Sequence, residues 1–326
     1  KTKMNKSLYH LVEDLIKPDD SYKNINISGI KTDSKKVLPG DLFVAVPGIN
    51  FDGHDFVKQA IDNGAKAVIT SVTGLDLDAI PQIKVANPRR AVSLLSSKLF
   101  NNPSKNITVI GITGTNGKTT TAYLIANALI KAGFKTAQIG TTGIIAKGFD
   151  QKKTLTTPDA INLQELFFKF KNSGFTHVVM EVSSHALDQY RVADINFNLA
   201  VFTNLSPEHL DYHPSMEAYY QAKSRLFKML TINEVAVINK SDLNGERIAR
   251  DTVATVLFYS RGNGDTIHFS DTDSSLRGIR GTIKAGDFIY DINSSLIGDF
   301  NKENILASVS VLHALGLKSE AIANGI

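Results

Sequence analysis

The feature that most constrains this chain is the stretch ITVIGITGTNGKTTT, residues 107–121. It is typical of an apolar strand, a glycine-containing turn and a helix that opens with Lys118 and three threonines. In such a unit, backbone N–H groups converge on phosphate oxygens at the helix N-terminus, a lysine adds positive charge and a hydroxyl can reach Mg²⁺. The stretch therefore predicts a nucleoside triphosphate site in an α/β fold.

The glycines of this stretch depart from the usual phosphate-loop spacing. Ile112 stands where the first glycine of that pattern belongs, and the glycines present are Gly111, Gly114 and Gly117. A tight strand-to-helix turn with a chance lysine is the alternative interpretation. The context of the motif favours the nucleotide site.

Composition excludes several classes of protein. With 326 residues and 42% apolar content, the chain can form two domains with real cores. It has no cysteine, which excludes disulfides and thiolate metal sites and suits the reducing cytoplasm, where we expect it to act. No apolar run is long enough for a membrane span, and the N-terminus lacks a signal-peptide core. The net charge of +4, without a basic stripe interleaved with aromatics, favours anionic small molecules over nucleic acid.

The pattern of elements predicts two domains. Residues 1–104 are typical of a small α/β domain, which ends in the polar, proline-containing segment 101–105. Residues 105–326 alternate between strands and helices, as expected for a mainly parallel sheet covered by helices. Short alternating runs between residues 259 and 296 predict an antiparallel edge or lobe. A helical pattern is still running at Ile326, so we expect a further C-terminal part to be missing from this sequence.

A carboxylate is predicted at the carboxyl edge of the sheet. Glu181 ends the apolar strand of HVVMEVSSHAL, and ligands gather at that edge in open parallel sheets. There it can hold Mg²⁺ against nucleotide phosphates, although a strand-end glutamate facing water is the alternative. Residues 183–185, Ser-Ser-His, extend past the same edge and are candidates for contacting substrate. Thr157 is predicted to cap a helix that Pro158 opens.

Two histidines and an aspartate follow a second strand end. Asn204 ends the strand of LAVFTN, and His209, Asp211 and His213 follow at alternate positions. In an extended segment alternate residues face the same way, so the three side chains would form one polar face. A metal or phosphoryl site explains that face better than isolated structural residues do. Oxygen and imidazole ligands favour Mg²⁺ or Mn²⁺ over a closed zinc site.

Lys223 is predicted to lie on the buried face of a helix in AYYQAKSRLFKML. The residues that share its face by helical spacing are Met216, Tyr219, Tyr220, Phe227 and Leu230. Burial would lower the pKa of its amine, and a neutral amine can take up CO₂ to form a carbamate, an anionic ligand for Mg²⁺. From the residues alone, a lysine that extends to solvent from a half-buried face is the favoured alternative.

Seven motifs occur in order over nearly the whole chain. They are GTNGKTT, TTP at residues 156–158, EVSSHALDQYRV at 181–192, FTNL, HLDYH, YxxAKxxLF and GDFNxxN. Together they resemble the Mur ligase family and, within it, the MurE type. The resemblance implies a cytoplasmic enzyme of peptidoglycan precursor synthesis, and hence of cell-wall biogenesis, cell shape and cell division. It would use ATP to add a diamino acid to the D-Glu carboxylate of UDP-N-acetylmuramoyl-L-Ala-D-Glu through an acyl phosphate.

The resemblance also implies roles for individual residues. Lys118, Glu181, His209 and Lys223 would be catalytic. Thr119 and Glu181 would hold one Mg²⁺, and His209 and a carbamylated Lys223 would serve a second. ATP would be bound by Gly114, Thr115, Asn116, Gly117, Lys118, Thr119, Thr120, Asn301 and Asn304. The UDP precursor would be bound by Ser34, Thr156, Thr157, Ser183, Ser184 and Arg191.

The same resemblance implies a different ligand for each of the two predicted domains. Ser34 lies in TDSKKVLPGDLF, which matches a uridine-binding stretch, so residues 1–104 would bind the UDP precursor and residues 105–326 would bind ATP. The amino-acid-selecting third domain of the MurE type has no counterpart here, so the chain alone is expected to be inactive. We expect a monomer that acts on small molecules, with no nucleic-acid or membrane partner.

Three alternatives stay open. A sibling ligase of the MurF or folylpolyglutamate type is one, and EVSSHALDQYRV argues against both. A nucleotide or UDP-sugar binding module that never ligates is the second, supported only by the early end of the sequence. A switch GTPase is the third, because Asn239-Lys240-Ser241-Asp242 matches the guanine motif Asn-Lys-x-Asp. We interpret that match as a coincidence, since the seven motifs are independent of it.

Overall fold

The computed structural model describes residues 4–48, 51–73, 80–151, 155–262, 264 and 266–326. The chain divides into two compact units. The first comprises Lys1–Pro103, Asp159–Lys169 and Gln189–Ile195, and the second comprises Ser104–Pro158, Phe170–Asp188 and Asn196–Ile326. The assignment of UDP-precursor binding and ATP binding to residues 1–104 and 105–326 stays a prediction. In the described part of the chain, no helix combines the length and the apolar character that crossing a membrane requires.

The first unit is built on a small parallel sheet. Its elements are β1 (Lys6–Ser7), α1 (Leu8–Val12), β2 (Asn26–Ile27), β3 (Gly29–Lys31), β4 (Asp41–Val44), α2 (Val57–Asp62), β5 (Ala67–Thr70), β6 (Gln82–Lys84) and α3 (Pro88–Leu99). Strands β3 to β6 pair in parallel in that order, and β1 pairs with β2. Strands β4 and β5 are buried throughout, because separate apolar clusters pack on the two faces of the sheet.

The second unit contains a seven-stranded sheet. Its elements up to the last strand of this sheet are β7 (Thr108–Thr113), α4 (Lys118–Lys131), β8 (Thr136–Gly140), β9 (Gly143–Ile145), β10 (His177–Glu181), α6 (Ser184–Asp188), β11 (Leu199–Phe202), α7 (Met216–Lys228), β12 (Val235–Asn239), α8 (Gly245–Arg250) and β13 (Thr255–Tyr259). Helix α5 (Ala160–Asn172) lies between β9 and β10 in the chain. The strand order is β13-β12-β11-β7-β10-β8-β9, and only β9 runs antiparallel to its neighbour.

A three-stranded antiparallel lobe follows in the second unit. It consists of β14 (His268–Ser275), β15 (Gly278–Ala285) and β16 (Phe288–Ser294), and the chain continues into α9 (Asn301–Ala314) and α10 (Ser319–Gly325). Helix α9 packs against α4 and is buried nearly all round. The predicted fold class is confirmed: a parallel, helix-covered sheet with an antiparallel lobe follows a smaller α/β unit.

One local prediction is wrong. Helix α5 begins at Ala160, and the Asp159 carboxylate accepts the N–H of Asn162 at 2.9 Å, so Asp159 caps the helix instead of Thr157. The Thr157 hydroxyl donates to the Glu181 carbonyl at 2.9 Å and accepts the Ser183 N–H at 3.0 Å. Thr157 is therefore tied to the carboxyl end of β10.

Candidate active site

The glycine loop joins β7 to α4 at the carboxyl edge of the large sheet. Gly114 and Gly117 both have positive φ, at 154° and 85°. A Cβ at Gly114 would overlap the Thr203 hydroxyl, and one at Gly117 would overlap the side-chain oxygen of Asn304. Backbone conformation and close packing therefore both require glycine at these two positions. The loop ends at the N-terminus of a 14-residue helix, where N–H groups favour a bound anion.

Two lysine amines meet at one carbonyl of this loop. The Lys118 Nζ donates to the Gly114 carbonyl at 2.8 Å and to the Thr115 carbonyl at 2.7 Å. The Lys223 Nζ, which comes from α7, donates to the same Gly114 carbonyl at 2.8 Å. Only 2% of Lys223 is exposed, so its predicted burial is confirmed and the half-buried alternative is wrong.

Burial changes the acid–base behaviour of both amines. It lowers the pKa of Lys223 well below its usual range, the nearby Lys118 charge lowers it further, and Glu208 opposes the shift. Burial also lowers the pKa of Lys118, against the opposing carboxylates of Glu181 and Glu208. The Tyr219 ring lies 4.5 Å from the Lys223 Nζ, and its hydroxyl is 3.3 Å from that of Thr115. Tyr219 thus lies next to both Lys223 and the glycine loop.

Glu181 lies next to the first turn of α4, with 0% of its surface exposed. Both of its carboxylate oxygens accept from the Thr119 hydroxyl at 3.0 Å. Thr141 donates its N–H at 3.0 Å and its hydroxyl at 3.1 Å to the same carboxylate. The alternative of a strand-end glutamate facing water is wrong. This cluster of a carboxylate and two hydroxyls consists of the hard oxygen donors that Mg²⁺ prefers, and it fits the predicted role of Thr119 and Glu181.

Thr141 is a residue of this site that sequence reasoning missed. It follows the end of β8, which pairs directly with β10, the strand that ends in Glu181. Its hydroxyl also lies 3.3 Å from that of Thr156, one of the predicted substrate-binding residues. The pairing of β8 with β10 could have indicated it, because neighbouring parallel strands end at the same edge.

The segment after β11 differs from the prediction. The His209 carbonyl accepts the N–H of Tyr212 at 3.1 Å and of His213 at 2.9 Å, so residues 209–213 form a turn and not an extended segment. The predicted common face of His209, Asp211 and His213 is therefore wrong. Among the residues that the structure describes, no group of three or more His, Asp or Glu side chains is arranged to hold a metal ion.

The histidines of this turn have separate environments. His213 is buried, its Nε2 lies 2.9 Å from the Ser184 hydroxyl, and burial lowers its pKa. His209 has a positive φ of 56° and a partly exposed ring, 4.9 Å from that of His185 and 6.1 Å from that of Tyr219. His209 is therefore close to the tyrosine that contacts Lys223, and its predicted role as a metal ligand stays a prediction.

The remaining predicted residues lie in several places. Asn301 and Asn304 are buried at the start of α9, with the Asn304 amide donating to the Asn301 side chain at 2.8 Å. Thr120 lies in the first turn of α4. In the first unit, the buried Ser34 hydroxyl donates to the side-chain oxygen of Gln59 at 2.6 Å. Arg191, also in that unit, donates from Nη2 to Gln189 at 2.7 Å.

Comparison with known proteins agrees with this architecture. The family model described as the Mur ligase middle domain matches residues 112–312, and the model described as the Mur ligase family, catalytic domain, matches residues 26–98. A relative from Gloeobacter violaceus, named UDP-N-acetylmuramoyl-L-alanyl-D-glutamate–2,6-diaminopimelate ligase, is 42% identical over 93% of this chain and 62% of its own length. The chain thus spans about six tenths of the length of that relative.

Solved structures give the same result. One with the same ligase name superimposes with a TM-score of 0.87 at 29% identity, over 98% of this chain and 66% of the other. A MurF ligase from Thermotoga maritima, in complex with ADP, shares the fold with a TM-score of 0.56 at 24% identity, over 90% of this chain and 65% of the other. The middle-domain model alone covers more than half of the sequence, and the chain therefore belongs to the Mur ligase family.

Proposed function

We propose that this chain binds ATP and the UDP precursor for an ATP-dependent, amide-forming ligase of the MurE type. The reaction adds a diamino acid to the D-Glu carboxylate of UDP-N-acetylmuramoyl-L-Ala-D-Glu. The observation that carries the proposal is the convergence of Lys118 and Lys223 on the Gly114 carbonyl, in a unit where Glu181 is held against Thr119. The relatives named UDP-N-acetylmuramoyl-L-alanyl-D-glutamate–2,6-diaminopimelate ligase support it.

The glycine loop and Lys118 would supply the electrostatic part of the proposed reaction. Transfer of the γ-phosphoryl group to the D-Glu carboxylate joins two anions, so negative charge has to be neutralised where they meet. The N–H groups at the start of α4 and the Lys118 ammonium would neutralise this charge. Because Lys118 now donates to the Gly114 and Thr115 carbonyls, nucleotide phosphates would have to draw its amine from them.

Thr119 and Glu181 are the proposed holders of Mg²⁺. When bound there, the ion would supply charge neutralisation for the β- and γ-phosphates. The Glu181 carboxylate is already oriented, because the Thr119 and Thr141 hydroxyls and the Thr141 N–H donate to its two oxygens.

Lys223 is the residue that we propose to be carbamylated. Its lowered pKa favours the neutral amine, whose lone pair can attack the carbon of CO₂; a new N–C bond forms, and one proton leaves to solvent. The side chain would change from a neutral amine to an anion and, with His209, could serve a second Mg²⁺.

The substrate-binding residues are proposed from the motifs that they occupy. Thr156, Thr157, Ser183 and Ser184 line the end of β10, with Ser183 donating its N–H to the Thr157 hydroxyl. Ser34 and Arg191 belong to the first unit, which we propose binds the UDP end. Asn301 and Asn304 would serve the adenine side of ATP. We further propose that the protein acts as a monomer in the cytoplasm, where ATP and UDP-linked precursors are made.

Calorimetric titration tests the proposal. We expect UDP-N-acetylmuramoyl-L-Ala-D-Glu and Mg·ATP each to bind the chain with a stoichiometry of one. A UDP-sugar without the dipeptide is the matched control, and it should bind more weakly because it cannot reach Thr156 and Ser183. No heat of binding at millimolar precursor, or equal affinity for both UDP compounds, would contradict the proposed substrate.

A further inference from the structure

The string Asn239–Asp242 is a motif that the proposed reaction does not use. Only 1% of Asn239 is exposed, and its amide Nδ2 donates to the backbone carbonyl of Thr203 at 2.8 Å. One carboxylate oxygen of Asp242 accepts the N–H of Leu205 at 2.9 Å. The two side chains of the string thus bind the segment that follows β11, and they do not form the base-binding surface that a guanine motif would need.

That segment, Thr203–Ser206, holds the glycine loop, and we call it the loop brace. The Thr203 hydroxyl donates to the Asn116 carbonyl at 2.7 Å. The Asn204 side chain accepts the Asn116 N–H at 2.9 Å, and the Asn204 carbonyl accepts the Thr115 N–H at 2.9 Å. The Ser206 N–H donates to the Thr115 hydroxyl at 3.0 Å. Two consecutive residues of the glycine loop are therefore fixed through their backbone and side-chain groups by the brace.

The brace also packs tightly against the glycine loop. Its Thr203 hydroxyl occupies the volume that a Cβ at Gly114 would need, so the loop backbone packs directly on it. Gly114 is the residue whose carbonyl accepts both lysine amines. A shift of the brace would therefore move the loop carbonyls together with Lys118 and Lys223.

We propose that Asn239 and Asp242 are positioning residues for triphosphate binding: from behind the brace, they hold the glycine loop in the conformation that receives phosphates. This role rests on the proposed nucleotide site. It makes a specific claim about affinity: a displaced loop loses its own contacts to phosphates, while the proposed adenine contacts of Asn301 and Asn304 come from α9 and are kept.

Substitutions at Asn239 and Asp242 can remove individual contacts to the brace. Asn239→Asp keeps the shape and the oxygen that accepts the Ser241 N–H at 2.9 Å, but it replaces the donor to Thr203 by an oxygen. That oxygen would face the Thr203 carbonyl and the Glu303 carboxylate, which now lies 3.3 Å from the amide nitrogen. Asp242→Ala removes the acceptors for Leu205 and for Asn244, whereas Asp242→Asn retains one oxygen, which can still accept the Leu205 N–H.

Asn198→Asp is the control for the amide-to-carboxylate change itself, at an exposed position. It makes the same chemical change in the same sheet, but Asn198 precedes β11, at the opposite end of that strand from the brace. Its side-chain oxygen accepts the Val109 N–H at 2.8 Å, and Asp can continue to do so.

The experiment compares the affinities for Mg·ATP and adenosine by calorimetry in the wild-type chain and each variant. Asn239→Asp and Asp242→Ala should weaken Mg·ATP binding by about tenfold or more, because each loses more than one buried hydrogen bond, and both should leave adenosine binding within about twofold. Asp242→Asn should restore most of the loss, and Asn198→Asp should bind both ligands as the wild type does. Amide hydrogen exchange without nucleotide should accelerate at Thr115 and Asn116 in the first two variants.

The outcomes separate this role from the proposed function. A wild-type chain that binds Mg·ATP no better than adenosine would contradict the nucleotide site itself and the positioning role with it. A wild type that does prefer Mg·ATP, with variants that keep this preference or lose affinity for both ligands equally, would overturn the positioning role alone. If Asn239→Asp does not fold, the pair Asp242→Ala and Asp242→Asn decides by the same criterion.

Discussion

At the scale of single residues, the candidate site depends on polar groups that burial has brought close together. Lys118 and Lys223 share one carbonyl acceptor, and both pKa values are lowered mainly by burial. Glu181, fully buried, is held by hydroxyl and N–H donors of Thr119 and Thr141. Buried polar groups are costly when unpaired, so each of these contacts has measurable consequences.

The lowered pKa of Lys223 predicts a pH dependence of stability. The folded chain binds this proton more weakly than the unfolded chain, whose lysine pKa is about 10.4, so the contribution of Lys223 to the free energy of unfolding rises with pH up to that value. The slope for one proton is at most about 1.4 kcal/mol per pH unit. Lys223→Met should reduce the slope, as measured by urea unfolding in CO₂-free buffer between pH 7 and 10. An unchanged slope would show that Lys223 is not buried as a neutral amine.

Carbamylation of Lys223 predicts a spectroscopic signal. With ¹³C-enriched bicarbonate, the wild-type chain should show a carbamate ¹³C resonance that strengthens as pH rises, because the neutral amine is the reactive form. Lys223→Met should lack that resonance. A resonance that persists in this variant would assign the carbamate to another amine.

Glu181 is predicted to account for the Mg²⁺ dependence of nucleotide binding. Glu181→Gln keeps the volume but removes the negative charge, so the gain in ATP affinity on adding Mg²⁺ should fall by about tenfold or more. Calorimetry with Mg²⁺ and with EDTA measures this gain. An undiminished gain in the variant would place the metal elsewhere.

At the scale of elements, the glycine loop combines a special backbone conformation with close packing. Gly117 has φ of 85° and lies against Asn304. Gly133, after the end of α4, has φ of 91°, and no atom of the described residues lies within 4 Å of the position that a Cβ would take there. The two glycines therefore have similar φ values and differ in their surroundings.

This difference predicts separate effects of the same substitution. Gly133→Ala should cost about 1 kcal/mol of stability, from backbone strain alone, and leave ATP affinity unchanged. Gly117→Ala should add the overlap with Asn304 and weaken ATP binding by about tenfold or more, because the loop has to move. Thermal unfolding and ATP titration of both variants measure the two effects. Equal ATP affinity in the two variants would contradict the role of the loop.

Sequence reasoning locates the main elements of the site because local patterns specify them. The strand, glycine turn and helix around Lys118 and the strand ending in Glu181 are continuous in sequence, and parallel strands bring their ends to one edge. Helical spacing predicts which residues share a face with Lys223, but from the residues alone a half-buried lysine is favoured, so its full burial is a finding of the structure.

What the sequence does not predict depends on hydrogen bonds between distant segments. Thr141 reaches Glu181 across 40 residues, and Asn239 reaches Thr203 across 36. Alternation predicts an extended segment over residues 209–213, but the carbonyl of His209 closes a turn. Thr157 resembles a helix cap in the sequence, yet its hydroxyl is engaged by the end of β10. Tertiary contacts decide the positions of Thr141, Asn239 and Thr157, whereas a local turn replaces the expected extended segment at residues 209–213.

At the scale of the whole molecule, the residues proposed to bind ligands are distributed over two units with separate cores. The larger one carries the glycine loop, Lys223 of α7 and Glu181 of β10 around its mainly parallel sheet, and the smaller one has its own four-stranded parallel sheet. The proposed activity assigns the UDP end of the precursor to the smaller unit, and it assigns ATP and the dipeptide end of the precursor to the larger one.

The central claim is that a triphosphate binds at the glycine loop beside Thr119 and Glu181. A crystal structure of the chain with a non-hydrolysable ATP analogue and Mg²⁺ tests it most directly. We predict that the phosphates contact the N–H groups of residues 115–119 and the Lys118 amine, with Mg²⁺ bound by Thr119 and Glu181. Phosphates bound away from this loop, or Mg²⁺ held without Glu181, would contradict the account.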